Sequence, residues 1–277
     1  MDIFQAVCII FSPYHVGLRD HRVGNGPHRI RSTGLERELQ RLGVSVDFVE
    51  IEPVDDYEGE IGRSFEVMRR ISRAVSDAIA SKSFPLVLSG NCMASAAVAC
   101  GLQIQDLAFI YFDAHDDLDS PDTLMRSVPG FRPFDYSRFL YCGLRDQSSI
   151  QRQRVIDAGM HSIWGNTKEK VDFAAELKTR LEERSYSPAL VHLDLDVLDD
   201  SYGKVNDYPS PGGLFESDLI SCMEIVPQIT RPTSLTVCSF DPDAGDGDRI
   251  AQIGSRAITT FVKALLSKGA LSNNLKA

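Results

Sequence analysis

The chain has 277 residues, 43% hydrophobic and 25% charged, so it is long enough to bury a substantial core. It carries 29 Lys and Arg against 39 Asp and Glu, and this net charge of −10 argues against nucleic acid or anionic lipid as a partner. No apolar run approaches the roughly 20 residues of a membrane helix, and the N-terminus lacks the cationic start and cleavage site of a signal peptide. We therefore expect a cytoplasmic protein with no membrane partner.

Short apolar runs rich in β-formers predict seven strands, at residues 7–11, 44–49, 86–88, 107–112, 139–142, 190–195 and 235–240. Stretches with helical period predict helices at residues 62–80, 150–158, 171–183, 216–225 and 250–268. This alternation is typical of parallel strands joined by crossover helices. We predict one domain over residues 1–277, an α/β protein built as a three-layer α/β/α sandwich with a mostly parallel central sheet.

Four polar segments follow predicted strands, at residues 89–94, 113–135, 196–213 and 241–248. In open α/β sheets, ligands bind outside the carboxyl ends of the strands, so these segments should line one crevice. Six cysteines are scattered along the chain, mostly in apolar runs, which favours buried thiols over a disulfide framework.

Two acidic motifs end predicted strands. The run FIYFDAHDDLDSP carries Asp113, His115 and Asp117 at alternate positions, and VHLDLDVLDD carries Asp194 and Asp196. If the backbone stays extended, the members of each motif point the same way. A single D-x-D is more often a solvated loop or a turn-capping pair, but two such motifs at the ends of apolar strands argue for a joint site.

Carboxylates crowded together away from water need compensating positive charge, and neither motif supplies Lys or Arg at those positions. Divalent cations are the simplest source of that charge. Oxygen ligands with one or two softer ligands favour hard ions such as Mn²⁺ over zinc. Two ions that share bridging carboxylates would use all five residues.

The motifs DAHDD (Asp113 to Asp117) and DLDVLD (Asp194 to Asp199) resemble those of the arginase, agmatinase and formimidoylglutamase superfamily, the ureohydrolases. The segments GNGPHRIRSTGL, YCGLRD and PGGL resemble further segments of that superfamily, so the likeness covers nearly the whole chain. The resemblance implies an arginase-like fold and a hydrolase that acts on C–N bonds in linear amidines. It also implies a small-molecule substrate and a homo-oligomer, either a trimer or a hexamer.

By the same resemblance, Asp113, His115, Asp117, Asp194 and Asp196 are metal ligands. Two Mn²⁺ ions would share a water that ionises to hydroxide and attacks a trigonal C=N carbon. One aspartate would orient the hydroxide and pass a proton to the leaving amine, and Asp117 and Asp196 are our candidates for this catalytic role.

The superfamily's usual sixth ligand is the His of a G-G-D-H run, which in this chain reads Ser89, Gly90, Asn91, Cys92. Cys92 therefore stands at a metal-ligand position. It is a ligand, a small buried filler, or a sign that one metal is absent. We expect two Mn²⁺ ions per chain, with one ion as the alternative.

Substrate-facing positions also depart from the arginase pattern, and a proton-shuttling His is missing from residues 120–132. Ser239 stands where an acidic residue pairs with the guanidinium, although Asp241 can restore that pairing. These departures argue against plain L-arginine and favour a guanidino-, hydroxyguanidino-, ureido- or formimino-type substrate. The candidate substrate-binding residues are Asp119, Ser148, Ser239 and Asp241.

Other interpretations stay open. One is a non-catalytic chain that is retained for metal-dependent binding or assembly, although the five Asp and His ligands argue against this. Amide cleavage of the histone-deacetylase type is a third possibility, but the paired histidines typical of those enzymes are absent from the sequence. His192, one strand step before Asp194, is interpreted as a hydrogen-bonded core histidine, with a place beside the metal ligands as the alternative.

Overall fold

The computed structural model describes residues 3–54, 59–117 and 126–273. Within these residues the chain forms ten strands. They are β1 (Ala6–Ser12), β2 (Tyr14–His15), β3 (Leu18–Arg19), β4 (Ser45–Glu50), β5 (Ser83–Ser89), β6 (Ala108–Phe112), β7 (Phe139–Leu144), β8 (His161–Trp164), β9 (Ala189–Asp194) and β10 (Pro232–Cys238). β2 and β3 form a small antiparallel pair, and the other eight form one parallel sheet in the order β4-β1-β5-β10-β9-β6-β7-β8.

Eight α-helices are present in the same described residues. They are α1 (Gly26–Ser32), α2 (Leu35–Arg41), α3 (Glu60–Ala80), α4 (Met93–Leu102), α5 (Ser149–Asp157), α6 (Phe173–Glu183), α7 (Glu216–Ile229) and α8 (Gly247–Ser267). No helix in the described part of the chain is long and apolar enough to cross a membrane.

The sheet separates two hydrophobic cores. On one face the sheet packs against α1, α2, α6, α7 and α8, with Leu177, Met223 and Phe261 among the buried side chains. On the other face it packs against α3, α4 and α5, with Ile71 and Val98 buried there. Because side chains alternate along a strand, a strand with apolar residues at every position fills both cores at once. The predicted three-layer α/β/α sandwich is confirmed.

All seven predicted strands are present, with boundaries that differ by one to three residues. The sequence analysis missed β8, a four-residue edge strand, as well as the β2-β3 pair and the helices α1, α2 and α4. α4 is apolar and buried on almost every side, so its sequence lacks the alternation of polar and apolar residues that reveals a surface helix.

Candidate metal centre

The two acidic motifs meet because β6 and β9 are neighbours in the parallel sheet. Phe112 pairs with Leu193, so Asp113 and Asp194 follow at the same edge of the sheet. On the other side of β9, Cys238 at the end of β10 pairs directly with Asp194. Cys92 immediately precedes α4, in the turn after β5. Four strand ends therefore deliver carboxylate, imidazole and thiol groups to one place.

The first set of potential ligand atoms comes from Asp113, His115 and Asp196, which lie within 4.8 Å of one another. His115 Nδ1 is 3.2 Å from Asp196 Oδ2 and 3.6 Å from Asp113 Oδ1. Two carboxylates and one imidazole form a set of hard donors that suits an ion such as Mn²⁺.

The second set comes from Cys92, Asp113, Asp117 and His192, again within 4.8 Å of one another. Asp113 belongs to both this set and the first, so its two carboxylate oxygens can serve two ions. The two sets of potential ligands are therefore neighbours that share Asp113.

The third set overlaps the second and contains two sulfur atoms. Its members are Cys92, His192, Asp194 and Cys238. Cys92 Sγ lies 2.9 Å from Asp194 Oδ2 and 3.7 Å from Cys238 Sγ. Cys238 Sγ lies 3.8 Å from His192 Nε2.

The carboxylates of the cluster perturb one another. Loss of hydration and the negative charges of Asp196 and Asp113 raise the pKa of Asp194 well above its usual range. Asp117 is an exposed residue, but packing around its carboxyl group and the charge of Asp113 raise its pKa to about 7. Burial acts in the same direction on Asp196, but hydrogen bonds with His115 and Asn206 outweigh it and lower the Asp196 pKa.

The imidazoles compensate for part of this negative charge. Burial disfavours a charged His115, but hydrogen bonds with Asp113 and Asp196 raise its pKa to about 11. His192 is fully buried, which also opposes charge, yet Cys238 and Asp113 raise its pKa to about 10. In the absence of metal the cluster therefore retains protons to reduce its own repulsion.

One carboxylate oxygen shows that a cation fits here. Asp113 is fully buried, and its Oδ2 has no hydrogen-bond partner among the described residues. Within the same part of the chain, no Lys or Arg nitrogen lies within 4.0 Å of a carboxylate oxygen of Asp113, Asp194 or Asp196, and Asp113 and Asp196 form ion pairs with histidines. The His192 Nε2 lies 3.4 Å from this Asp113 oxygen and compensates only part of the charge of three buried carboxylates, so the donor set fits divalent metal ions.

Two neighbouring side chains hold this arrangement in place. Asn206 Nδ2 donates to Asp196 Oδ2 at 3.0 Å and to the Ser239 carbonyl oxygen at 3.1 Å. The Arg145 guanidinium donates to backbone carbonyl oxygens, including those of Asp196 at 2.8 Å and Leu198 at 2.9 Å. Arg145 thus fixes the turn after β9 through its backbone and leaves the Asp196 carboxylate free for other partners.

The local backbone differs from the predicted one at both motifs. β6 ends at Phe112, and Asp117 has a φ of +50°, so the first motif is a turn and not an extended strand. β9 ends at Asp194, and Asp196 lies in a 3₁₀ turn, where its N–H donates to Asp194 Oδ1 at 2.8 Å. The predicted convergence of side chains on one site is nevertheless what the structure shows.

The candidate substrate-binding residues lie in different positions relative to the cluster. Ser239 lies at the cluster, with its Oγ 2.8 Å from Cys92 Sγ. Ser148 caps α5 in a capping box with Gln151 and is exposed. Asp241 accepts a hydrogen bond from the Asp243 N–H within its own turn, at 3.0 Å. Asp119 lies outside the described residues, and the substrate role of all four stays a prediction.

The surplus acids of the motifs serve turns. Asp199 Oδ2 accepts hydrogen bonds from the N–H groups of Gly212 and Gly213, which ties the turn after β9 to the PGGL segment. Asp116 Oδ2 accepts a hydrogen bond from Gln147 Nε2 at 2.7 Å. Both carboxylates are thus engaged by the protein's own hydrogen-bond donors.

The sequence analysis underrated His192 and did not single out Cys238 or Asn206. His192 is hydrogen-bonded in the core, as expected, but it also faces Asp113, with its Nε2 3.4 Å from Asp113 Oδ2. Its position two residues before Asp194 on the same strand, which places both side chains on one face, could have indicated this proximity. Cys238 and Asn206 could be found only from strand order, since they come from other parts of the chain.

Comparison with known proteins supports the resemblance. The sequence model described as the arginase family matches residues 5–264 of this chain. An arginase of Staphylococcus aureus (strain MRSA252) is 23% identical over an alignment of 292 positions, which covers 93% of this chain and 97% of the arginase. An agmatinase of Bacillus cereus is 27% identical over 205 aligned residues, which cover 70% of this chain and 69% of the agmatinase.

A solved structure shows the same fold. The native structure of arginase from Bacillus caldovelox superposes with a TM-score of 0.81 at 20% identity and covers 93% of this chain and 98% of the arginase. These matches confirm the predicted superfamily. They support the predicted class of enzyme, a ureohydrolase-like hydrolase that acts on C–N bonds.

Proposed function

The chain belongs to the arginase family, and from this premise we propose that it is a metal-dependent hydrolase of a linear guanidino-, hydroxyguanidino-, ureido- or formimino-type small molecule other than plain L-arginine. The observation that carries the proposal is the convergence of Asp113, His115 and Asp196 with further carboxylates at one edge of the sheet. A non-catalytic protein has no need to keep such a cluster, since its members repel one another.

The metal ions would be held by the residues predicted from the motifs. Asp113, His115 and Asp196 supply oxygen and nitrogen donors, and for this position we propose Mn²⁺. Asp117, Asp194 and Cys92 belong to the sets that adjoin it. When bound, the ions offset the charge of the carboxylates and lower the pKa of a water molecule.

The protein's own groups perform the remaining steps. Asn206, His115 and the Ala114 N–H engage the Asp196 carboxylate, which keeps it charged and fixed in orientation. Asp117, which lies in the ligand set with Cys92, Asp113 and His192, is proposed to accept a proton from the attacking water and to pass it to the leaving amine. We propose Asp117 and Asp196 as the catalytic residues.

The preference against plain L-arginine rests on Ser239. Its hydroxyl contacts Cys92 Sγ at 2.8 Å and carries no charge, so a cationic guanidinium gains no ion pair there. At such a position, a neutral ureido group, or a hydroxyguanidine with a lowered pKa, loses less binding energy than a guanidinium that lacks its ion pair. Asp241 and Ser148 are proposed to contact the rest of the substrate, together with Asp119.

The test is a panel of guanidino, hydroxyguanidino, ureido and formimino compounds incubated with Mn²⁺-loaded protein, with release of urea or amine as the readout. We expect turnover of at least one class at a kcat/KM above that of L-arginine. Asp196→Asn should abolish the turnover, whereas the exposed Asp77→Asn on α3 is the matched control and should retain it. Loaded, folded protein that releases no product from any class would refute the proposed activity.

Cytoplasmic location and assembly into a trimer or hexamer belong to the same proposal. Light scattering coupled to size-exclusion chromatography checks the assembly, with a mass of three or six times 30.7 kDa as the expected result.

A further inference from the structure

The sulfur-bearing set differs in chemistry from the oxygen-rich set beside it. Cys92, Cys238, His192 and Asp194 offer two sulfurs, one nitrogen and one oxygen, and these ligand atoms lie within 4.8 Å of one another. Thiolate and imidazole ligands select softer ions such as Zn²⁺, whereas carboxylates favour Mn²⁺. Cys238 and His192 are not among the ligands that the acidic motifs predict.

The spacing of the two sulfurs and of the imidazole is close to that of a tetrahedral zinc site. With Zn–S bonds of about 2.3 Å, two sulfur ligands at tetrahedral angles are roughly 3.8 Å apart. Cys92 Sγ and Cys238 Sγ are 3.7 Å apart, and Cys238 Sγ is 3.8 Å from His192 Nε2. Asp194 Oδ2 is the fourth member of the set and accepts a hydrogen bond from Cys92 Sγ at 2.9 Å. This is closer than the roughly 3.5 Å between a sulfur and an oxygen ligand of one tetrahedral zinc, so the two atoms move apart when the ion replaces the thiol proton.

His192 is oriented as a ligand. Its Nδ1 lies 2.7 Å from Ser95 Oγ, and its ring stacks on that of Tyr111 at 4.2 Å between centroids. When the proton is on Nδ1, that N–H donates to Ser95, and the lone pair of Nε2 points to the cluster. A metal-ligating imidazole is commonly fixed through its other ring nitrogen in this way.

A second observation points to a cation at this place. The buried Asp113 Oδ2, which lacks a hydrogen-bond partner among the described residues, is 3.4 Å from His192 Nε2. Asp113 shares a set with Cys92 and His192, so an ion held by these two residues and by Cys238 would also offset the charge of this oxygen.

We propose that Cys92, Cys238, His192 and Asp194 form a thiolate-rich position for a soft divalent ion, Zn²⁺, beside the oxygen-rich position for Mn²⁺. The centre is then a mixed pair and not two Mn²⁺ ions. Binding of Zn²⁺ displaces the thiol protons to solvent, with no change of oxidation state. This inference rests on the proposed function for the role of the second ion, but its metal preference can be measured without turnover.

Titration of chelator-treated, reduced protein with Co²⁺ tests the proposal, since Co²⁺ bound by thiolate gives an intense charge-transfer band in the near ultraviolet. We expect this band in the native chain, and competition with one equivalent of Zn²⁺ but not of Mn²⁺ should remove it. Cys238→Ala should lose about half of the band and weaken Zn²⁺ binding by more than about 10-fold. Cys100→Ala, which changes a buried cysteine outside the cluster, is the control and should behave as the native chain.

Co²⁺ that binds the native chain without the charge-transfer band would overturn the proposal, and this result needs no variant to fold. So would a Cys92–Cys238 disulfide that forms in the metal-free protein and survives treatment with reductant, as measured by thiol counting. If the band is absent but Mn²⁺-dependent hydrolysis persists, the proposed function survives alone. If the band forms and no compound is hydrolysed, the zinc position survives and the hydrolase does not.

Discussion

Buried carboxylates occur in two regions of the molecule, and their partners differ. Glu66 on α3 is 5% exposed, and Asp194 at the end of β9 is 2% exposed. Glu66 accepts hydrogen bonds from Arg69 and Arg70, each at 2.8 Å. Asp194 is surrounded by further acids, a histidine and two thiols.

The pKa values of the two regions move in opposite directions. Burial opposes charge on both groups, but the hydrogen bonds from Arg70 and Arg69 lower the pKa of Glu66. Burial together with negative neighbours raises the pKa of Asp194. On α3, arginines of the chain compensate the charge of Glu66. At the edge of the sheet, the charge of Asp194 is left for an external cation to compensate, and this difference distinguishes a structural carboxylate from a functional one.

The largest expected effect is on catalysis. Asp194→Asn removes a ligand charge, and we expect kcat/KM for the best compound of the panel to fall more than about 100-fold, since even residues beside metal ligands commonly account for 10- to 100-fold. Glu66→Gln should keep activity within about two-fold of the native chain in the same assay. Equal losses in both variants would mean that stability, not metal binding, links the two regions to activity.

Removal of the metal should have the next largest effect. A ligand present at 100 times its Kd stabilises a fold by about 2.7 kcal/mol, which corresponds to a Tm shift of roughly 5–10 °C in a chain of this size. We therefore expect chelation to lower the Tm by that amount and readdition of metal to restore it. Calorimetry with and without chelator makes the measurement, and an unchanged Tm would contradict it.

The two acids should respond oppositely to neutralisation in metal-free protein. Asp194→Asn relieves repulsion and should raise the Tm at pH 8 by about 2–6 °C, equivalent to roughly 1–2 kcal/mol. Glu66→Gln leaves two arginines without their carboxylate and should lower the Tm by a similar amount. If both variants lower the Tm, the aspartate cluster is stable without a cation and the comparison fails.

The smallest effect concerns pH. The lowered pKa of Glu66 means that its stabilisation is present above about pH 4.5 and is lost as pH falls below it. The raised pKa of Asp117 means that metal-free folded protein holds a proton there more tightly than the unfolded chain does, so this stabilisation is lost as pH rises from 3.8 through about 7. We expect urea unfolding of chelated protein to show that Glu66→Gln loses less free energy of unfolding than the native chain as the pH falls into the acid range. Asp117→Asn should lose less than the native chain as the pH rises toward neutrality.

Much of the site could be predicted from the sequence because local patterns encode it. Apolar runs locate the strands, and acids at their ends identify Asp113 and Asp194 as members of one crevice. Cys238 could not be found in this way, because its proximity to Asp194 depends on β10 pairing with β9 in a particular register. The backbone conformation of Asp117 could not be predicted either, because the sequence does not distinguish an Asp with a φ of +50° from one in an extended strand.

The helix α4 shows the same limit for the fold. Its ten residues are apolar and mostly buried, so no periodicity separates it from a buried strand. The start of this helix nonetheless positions Cys92. The turn before the helix admits only glycine at position 90, because a Cβ there would lie 2.1 Å from the Tyr14 carbonyl oxygen. Tertiary packing, not local propensity, therefore fixes this ligand position.

The most direct test of the central claim is the metal content of the purified protein, measured by elemental analysis against protein concentration. If external cations compensate the aspartate cluster, the native chain holds about two equivalents of divalent metal, and Asp113→Asn, which removes a carboxylate common to two of the three ligand sets, holds about one equivalent less. Glu66→Gln should hold as much metal as the native chain. A folded native chain that holds no metal, and takes up none when it is supplied, would contradict the account.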